Sequence, residues 1–153
     1  MTPTLTYNFC GNNSEHKQKY SKNYLKVLPS NIDILHNIPN NIQDLVKKDL
    51  FDAVICFLNC FQELIVAIND NHPIDNSLPP LHFSLLDDEA IFIEWIFPFF
   101  RIGFSIEENI EDSSWFLVTN RQFQERTESG LINPNQPQEI LNRLINFAIN
   151  YYN

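Results

Sequence analysis

The stretch that decides the fold is residues 79–119, PPLHFSLLDDEAIFIEWIFPFFRIGFSIEENIEDSSWFLVT. It consists of short runs of β-branched and aromatic residues, separated by turn segments at 98–100 and 108–112. This pattern is typical of antiparallel strands joined by short connections. The sequence therefore predicts a β-meander, and the stretch contains no catalytic or cofactor motif.

The predicted sheet has four or five strands. Ile102, Phe104 and Ile106 alternate with Arg101 and Ser105, which predicts a strand with one buried face and one wet face. The fifth run is polar and is predicted to be an edge strand. The predicted strand bounds are 81–86, 90–97, 101–107, 115–119 and 122–127.

Two helices are predicted, one on each side of the meander in the chain. Apolar residues from Leu50 to Ile68 recur at spacings of three and four, which predicts a helix over 42–68 that ends before Pro73. Pro137 opens a second apolar stripe, which predicts a helix over 137–151. The expected fold is α+β, an antiparallel four- to five-stranded meander with both helices packed on one face.

The chain of 153 residues is long enough for one domain. We expect a single α+β domain over 40–153, preceded by a polar, mildly basic arm over 1–39. Within the arm, Ile32, Ile34, Leu35 and Ile38 are able to pack over the core as a covering loop.

Charge is divided unevenly along the chain, whose net charge is −9. Residues 1–48 hold six lysines against three acids, whereas residues 49–153 hold four arginines against sixteen acids. An acidic body repels phosphate backbones and attracts a basic surface, so we expect a basic protein partner and no direct nucleic-acid binding. The alternative is that the negative charge only keeps a Phe-rich protein soluble.

The cellular compartment is inferred from the first ten residues, the apolar stretch 51–68 and the cysteines. The first ten residues lack a cationic start and an apolar segment, so no signal peptide is expected. Polar residues interrupt the apolar stretch 51–68, so no membrane contact is expected either. Cys56 and Cys60 lie four apart on the predicted helix and are expected to be buried thiols. These features predict a cytoplasmic protein.

Motifs for chemistry are missing from the sequence. There is no nucleophile elbow, phosphate loop or dinucleotide fingerprint, and the four histidines show no zinc-ligand spacing. We therefore expect no enzyme, no cofactor and no metal site.

Glu94 stands inside an apolar strand, and Arg101 on the next strand is within diagonal reach. A cross-strand ion pair on the open face is the expected arrangement, and a catalytic or ligand-binding carboxylate is the alternative. The aromatic residues nearby exceed what one helical layer needs, so some are expected to face solvent unless the arm covers them. The candidate partner-binding residues are Glu94, Trp95, Phe99, Phe100, Arg101 and Trp115.

The pattern of Pro79-Pro80, Glu94-Trp95, a strand at 101–107 and Ser114-Trp115 resembles a group of small uncharacterised bacterial proteins, frequent in cyanobacteria. Similar Glu-Trp strands occur in proteins associated with toxin–antitoxin or defence loci. The resemblance covers about a quarter of the chain, and it implies a regulator of a protein partner without catalytic residues.

Three functions are therefore open. The first is a non-enzymatic protein-interaction module of an antitoxin or defence-accessory type. The second is a small enzyme or ligand-binding domain with a pocket near Glu94 and Arg101. The third is a homo-oligomeric structural protein.

Overall fold

The protein is built from an antiparallel sheet and two main helices. A computed structural model describes residues 28–39, 41–87, 90–120 and 127–152. These form α1 (Ile42–Leu45), α2 (Lys48–Asn71), β1 (Leu81–Asp87), β2 (Ala90–Ile96), β3 (Phe100–Glu107), a 3₁₀ turn (Ile110–Asp112), β4 (Ser114–Thr119), β5 (Thr127–Leu131) and α3 (Pro137–Tyr152). The expected α+β class is confirmed.

The five strands form one antiparallel sheet in the order β1-β2-β3-β4-β5. Sequential neighbours therefore pair throughout, which is the predicted meander. The β2–β3 connection is a tight turn in which the Phe97 N–H donates to the Phe100 carbonyl at 2.9 Å. Pro98 and Phe99 form its tip, where proline supplies a backbone angle already suited to a turn.

The long helix differs from the prediction at both ends. The predicted helix 42–68 is interrupted at Val46 and Lys47, which adopt extended backbone and separate α1 from α2. Val46 is half-buried against the core, and a β-branched side chain favours the extended conformation. At its other end α2 continues to Asn71, three residues beyond Ile68, and stops before Pro73.

The edge strand also differs from the prediction. Of the predicted run 122–127, residues 122–126 lie outside the described residues, and the edge strand observed is Thr127–Leu131. Its contacts explain why hydrophobic alternation did not predict it. Gly130 packs against the Trp115 indole, and Glu128 accepts a hydrogen bond from Arg143 of α3 at 2.8 Å. This strand is held by cross-strand and helix contacts rather than by apolar residues of its own.

The core lies between α2 and the strands β2 and β3. The Phe61 ring stands 5.3 Å from Trp95 and 5.8 Å from Phe104, both nearly edge-on, and Phe57 lies 4.9 Å from Phe104. Such tilted arrangements are the favoured geometry of aromatic pairs. The Trp95 indole N–H donates to the Pro79 carbonyl at 2.8 Å, so burial of this ring leaves no polar atom unsatisfied.

The strand residues that face the helices are buried, and their sequence neighbours lie on the other side of the sheet. Ile93 rather than Phe92, and Leu117 rather than Phe116, face the helices. The other buried residues of this core include Val54, Leu58, Phe61, Ile65, Ile102, Phe104, Leu144 and Ala148.

The second part of the predicted arm joins the core. Ile32, Ile34 and Leu35 are buried, and the Leu81 N–H donates to the Ile34 carbonyl at 2.8 Å. This segment therefore lies beside the start of β1. Residues 1–27 lie outside the described residues.

The apolar composition of α2 has a structural explanation. By length and composition alone, Lys48–Asn71 could cross a bilayer. Its apolar residues instead form the centre of the core, where Leu50, Val54, Phe57 and Phe61 are fully buried.

Of the two cysteines of α2, one is the buried free thiol that was expected and the other is not. Cys60 is a buried free thiol, and desolvation together with the nearby Glu63 carboxylate raises its pKa to about 12. Cys56 is disulfide-bonded, so the expectation of a free thiol is wrong at that position.

Replacing Phe61 by alanine is expected to lower the free energy of unfolding by about 3–5 kcal/mol, because the cavity left between Trp95 and Phe104 cannot collapse fully. Urea unfolding followed by circular dichroism measures this loss. Phe99→Ala, which truncates a ring at the exposed turn tip, is the control and should change stability little. A similar loss in both variants would contradict the assignment of the core.

The Cys60 thiol is expected to resist alkylation in the folded protein, because the reactive thiolate is not formed while its pKa is about 12. Iodoacetamide labelling at pH 8, read by peptide mass spectrometry, should modify Cys60 only after urea is added. The pKa of Cys60 is higher in the folded protein than in the unfolded chain. Its contribution to the free energy of unfolding is therefore fully present below about pH 9 and is lost as the pH rises towards 12. Rapid labelling of the native protein would show that the thiol is accessible and ionised.

Candidate functional site

One side of the sheet faces away from the helices, and we call it the open face. Its central row runs across all five strands as His82, Glu94, Gly103, Phe116 and Ser129. Two rows flank it, one formed by Ser84, Phe92, Ser105, Ser114 and Leu131, the other by Ile96, Arg101, Val118 and Thr127.

The centre of the open face is an aromatic pair. Phe92 and Phe116 stack with ring centroids 5.7 Å apart and planes within 16°, and both are half-buried. The Phe116 ring lies directly on Gly103, where an added Cβ would be 2.0 Å from a ring carbon. Glycine at 103 is therefore what allows the ring to lie flat on the sheet.

Beside this pair lies the Arg101–Glu94 ion pair, with 3.6 Å between Nη1 and Oε2. The Arg101 guanidinium also stands 5.7 Å from the centroid of Phe116, within cation–π range. The two residues are diagonal neighbours on β2 and β3, as predicted. The Arg101 side chain is 55% exposed, so its donors remain accessible to a binding partner.

A similar arrangement on the other side of the sheet offers a structural comparison. Arg143 of α3 pairs with Glu128 at 2.8 Å and stands 5.3 Å from the Trp115 ring. Its side chain is also 55% exposed. The chain therefore presents two arginines of equal exposure and similar chemistry, one on the open face and one on the helix side.

Both predicted tryptophan anchors are buried. Trp95 has no exposed surface and Trp115 is 8% exposed, so neither of these candidates is among the aromatic residues that face solvent. Both rings point to the helix side of the sheet, because Trp95 lies opposite Ile102 and Trp115 lies opposite Phe104, and both of these partners face the helices. Adjacent strand residues point to opposite faces, so an open-face Glu94 already implied an inward Trp95.

The two candidate phenylalanines at the β2–β3 turn are separated by the fold. Phe100 is buried and stacks on Phe97 at 4.4 Å, so it supports the turn from inside. Phe99 at the tip is 46% exposed. Of the candidate aromatic residues, Phe99 alone has an exposed ring, while Phe92 and Phe116 are the open-face aromatics that sequence reasoning did not select.

Four acidic residues lie at the end of β3 and in the β3–β4 connection. Glu107 accepts a hydrogen bond from the Ser105 hydroxyl at 2.9 Å, and Glu108 pairs with Lys47 at 3.4 Å. Glu111 and Asp112 are exposed in the 3₁₀ turn. We call these four acids, Glu107, Glu108, Glu111 and Asp112, the acidic rim.

Three clefts formed by the described residues lie away from the Glu94–Arg101 pair. Three clefts, of about 390, 420 and 230 Å³, lie against α2, beside α3 and between α1 and β1, and Glu94 and Arg101 line none of the three. Within residues 28–39, 41–87, 90–120 and 127–152, no group of three or more His, Cys, Asp or Glu side chains is placed to hold a metal ion.

Comparison with protein-family models finds no match for the chain. No curated protein and no solved structure matches it. The resemblance of residues 79–120 to small uncharacterised bacterial proteins therefore stays a prediction.

Gly103→Ala is expected to lower the free energy of unfolding by about 1–3 kcal/mol, because the new methyl group must displace the Phe116 ring. In a Phe116→Ala background the same substitution should cost much less, since the colliding ring is gone. A double-mutant cycle measured by urea unfolding tests this coupling. Additive effects of the two substitutions would show that Phe116 does not rest on Gly103 in solution.

Proposed function

We propose that the chain is a non-enzymatic protein-interaction module that binds a protein partner through the open face of its sheet. The observation that carries the proposal is a half-buried aromatic pair, Phe92 and Phe116, with the exposed Arg101 stacked beside it. Aromatic residues and arginine dominate the energetics of protein interfaces. The exposed Phe99 extends this surface at the turn.

The partner is a protein with a basic surface. Residues 49–153 hold sixteen acids against four arginines, and Glu107 of the acidic rim lies on β3 two residues from Ser105, the cross-strand neighbour of Phe92. Charges at a rim steer association and select partners more than they add affinity. In this arrangement the Phe92–Phe116 pair supplies the apolar contact and the rim orients the approaching cationic surface.

The biological form of this function that we favour is neutralisation or regulation of a partner, as an antitoxin or defence accessory does. The resemblance over residues 79–120 supports this form. Co-expression with a neighbouring gene tests it: the gene should be toxic alone and harmless together with this chain.

A ligand-binding or catalytic site at Glu94 and Arg101 is the second candidate. It is favoured by one observation, the position of His82 directly opposite Glu94 on the open face. Glu94→Gln tests this second function, because a catalytic carboxylate would lose turnover on substitution.

Arg101→Ala is expected to weaken partner binding at least tenfold, about 1.4 kcal/mol, because the guanidinium offers both donors and a stacked surface to the partner. The partner is captured from host extract by the tagged full chain, purified, and its affinity measured by calorimetry. Arg143→Ala is the matched control and should leave the affinity unchanged, with circular dichroism confirming that both variants fold. Equal effects of the two substitutions would place the contact elsewhere.

Affinity for the partner is expected to fall as salt rises, because charges at the rim are screened over about 8–10 Å at physiological ionic strength. Titrations across a series of NaCl concentrations measure the slope. Neutralising two exposed rim acids, Glu111→Gln with Asp112→Asn, should flatten it. An affinity that is independent of salt would contradict electrostatic selection of a basic partner.

A further inference from the structure

The outer edge of β1 carries backbone groups that point away from the sheet. The Leu81 N–H donates outward to the Ile34 carbonyl at 2.8 Å, and backbone groups two residues apart in a strand point the same way. The N–H and C=O groups of Phe83 and Leu85 therefore also point outward. Within the described ranges, no backbone hydrogen bond reaches them from outside the sheet.

The composition of β1 leaves this edge unprotected. Natural edge strands usually carry lysine, proline or inward charges that prevent pairing with another chain. From Leu81 to Leu86 the strand has no acid, lysine or proline, and the one acid of β1 is the terminal Asp87, which follows a shift in the register with β2. Pairing through this strand therefore opposes no like charges.

Apolar surface accompanies the free edge. Leu45, Leu85 and Leu86 are 48%, 46% and 60% exposed. A groove of about 230 Å³ runs between α1 and β1, and its apolar lining includes Ile42, Leu45, Val46, Phe83, Leu85 and Ile91. Such a groove accepts side chains that an added strand would project towards the helix side.

We propose that the Phe83–Leu85 part of β1 is the dimer interface of this protein and that its occupant is the same segment of a second copy, paired antiparallel about a two-fold axis at Ser84. This register places Phe83 opposite Leu85 of the partner subunit, and Leu85 opposite Phe83 of the partner subunit. Each such pair exchanges two backbone hydrogen bonds, which satisfies the outward groups of both residues.

The strand is self-complementary in this register, as a two-fold interface requires. On the helix side, Phe83 and Leu85 of each copy enter the groove beside Leu45 of the other. On the open face, Ser84 meets Ser84 of the partner subunit, two small uncharged side chains. The dimer joins two five-stranded sheets into one, and it does not depend on the proposed function.

The mass in solution tests the proposal directly. Light scattering of the full chain after size exclusion should give twice the 18.0 kDa of one chain. Leu85→Lys should give the monomer, because it places an ammonium group in the apolar groove at the edge. Leu131→Lys, the same change at an exposed leucine of the opposite edge strand, is the matched control and should remain dimeric.

A disulfide at the axis tests the register. Residues opposite each other in a non-hydrogen-bonded antiparallel pair have Cα atoms about 4.5 Å apart, within the range of a disulfide. Ser84→Cys should therefore form a reducible covalent dimer under mild oxidation. Ser129→Cys, an exposed serine on β5, should not do so to a greater extent than wild type.

Two results would overturn the proposal. The first is a wild-type monomer at the highest soluble concentration, as expected if residues 1–27 of the same chain occupy the edge. The second is a dimer that Leu85→Lys does not dissociate and Ser84→Cys does not cross-link, since that dimer would use another surface. Circular dichroism of Leu85→Lys separates dissociation from unfolding.

Discussion

The packing of α2 on β2 and β3, through the rings of Phe61, Trp95 and Phe104, is the contact on which the rest of the structure depends. It fixes which side of the sheet faces the helices, because every core residue of β2 and β3 must share the side of Trp95 and Phe104. Alternation then sends the intervening residues to the other side. The open face is therefore a consequence of the packing of α2 on β2 and β3.

The open face is ordered by contacts of its own. The Phe116 ring rests on Gly103 and stacks on Phe92, while Arg101 joins that ring to Glu94. These contacts hold the exposed groups in one arrangement before a partner arrives. A surface that is already arranged loses less side-chain entropy on binding, which favours affinity. This is the physical reason to regard the open face as the functional surface.

The two proposals concern different parts of the sheet and reinforce each other. The proposed partner binding uses the face, whereas the proposed self-association uses the edge of β1, so neither would block the other. A dimer paired through β1 would present two open faces in one continuous sheet. Two linked sites raise the apparent affinity for a partner that is itself dimeric, provided that the spacing allows both to engage.

The sequence by itself determined the elements whose signals are local. The spacing from Leu50 to Ile68 defined the long helix, alternation at 101–107 defined a half-buried strand, and the diagonal placement of Glu94 and Arg101 followed from strand pairing. The tertiary structure alone decided the features that depend on a distant neighbour. These features are the inward side chain of Trp115, the contact of Phe116 with Gly103, and the pairing of a polar run as β5. Each depends on contacts between residues far apart in the chain, and sequence periodicity carries no information about such contacts.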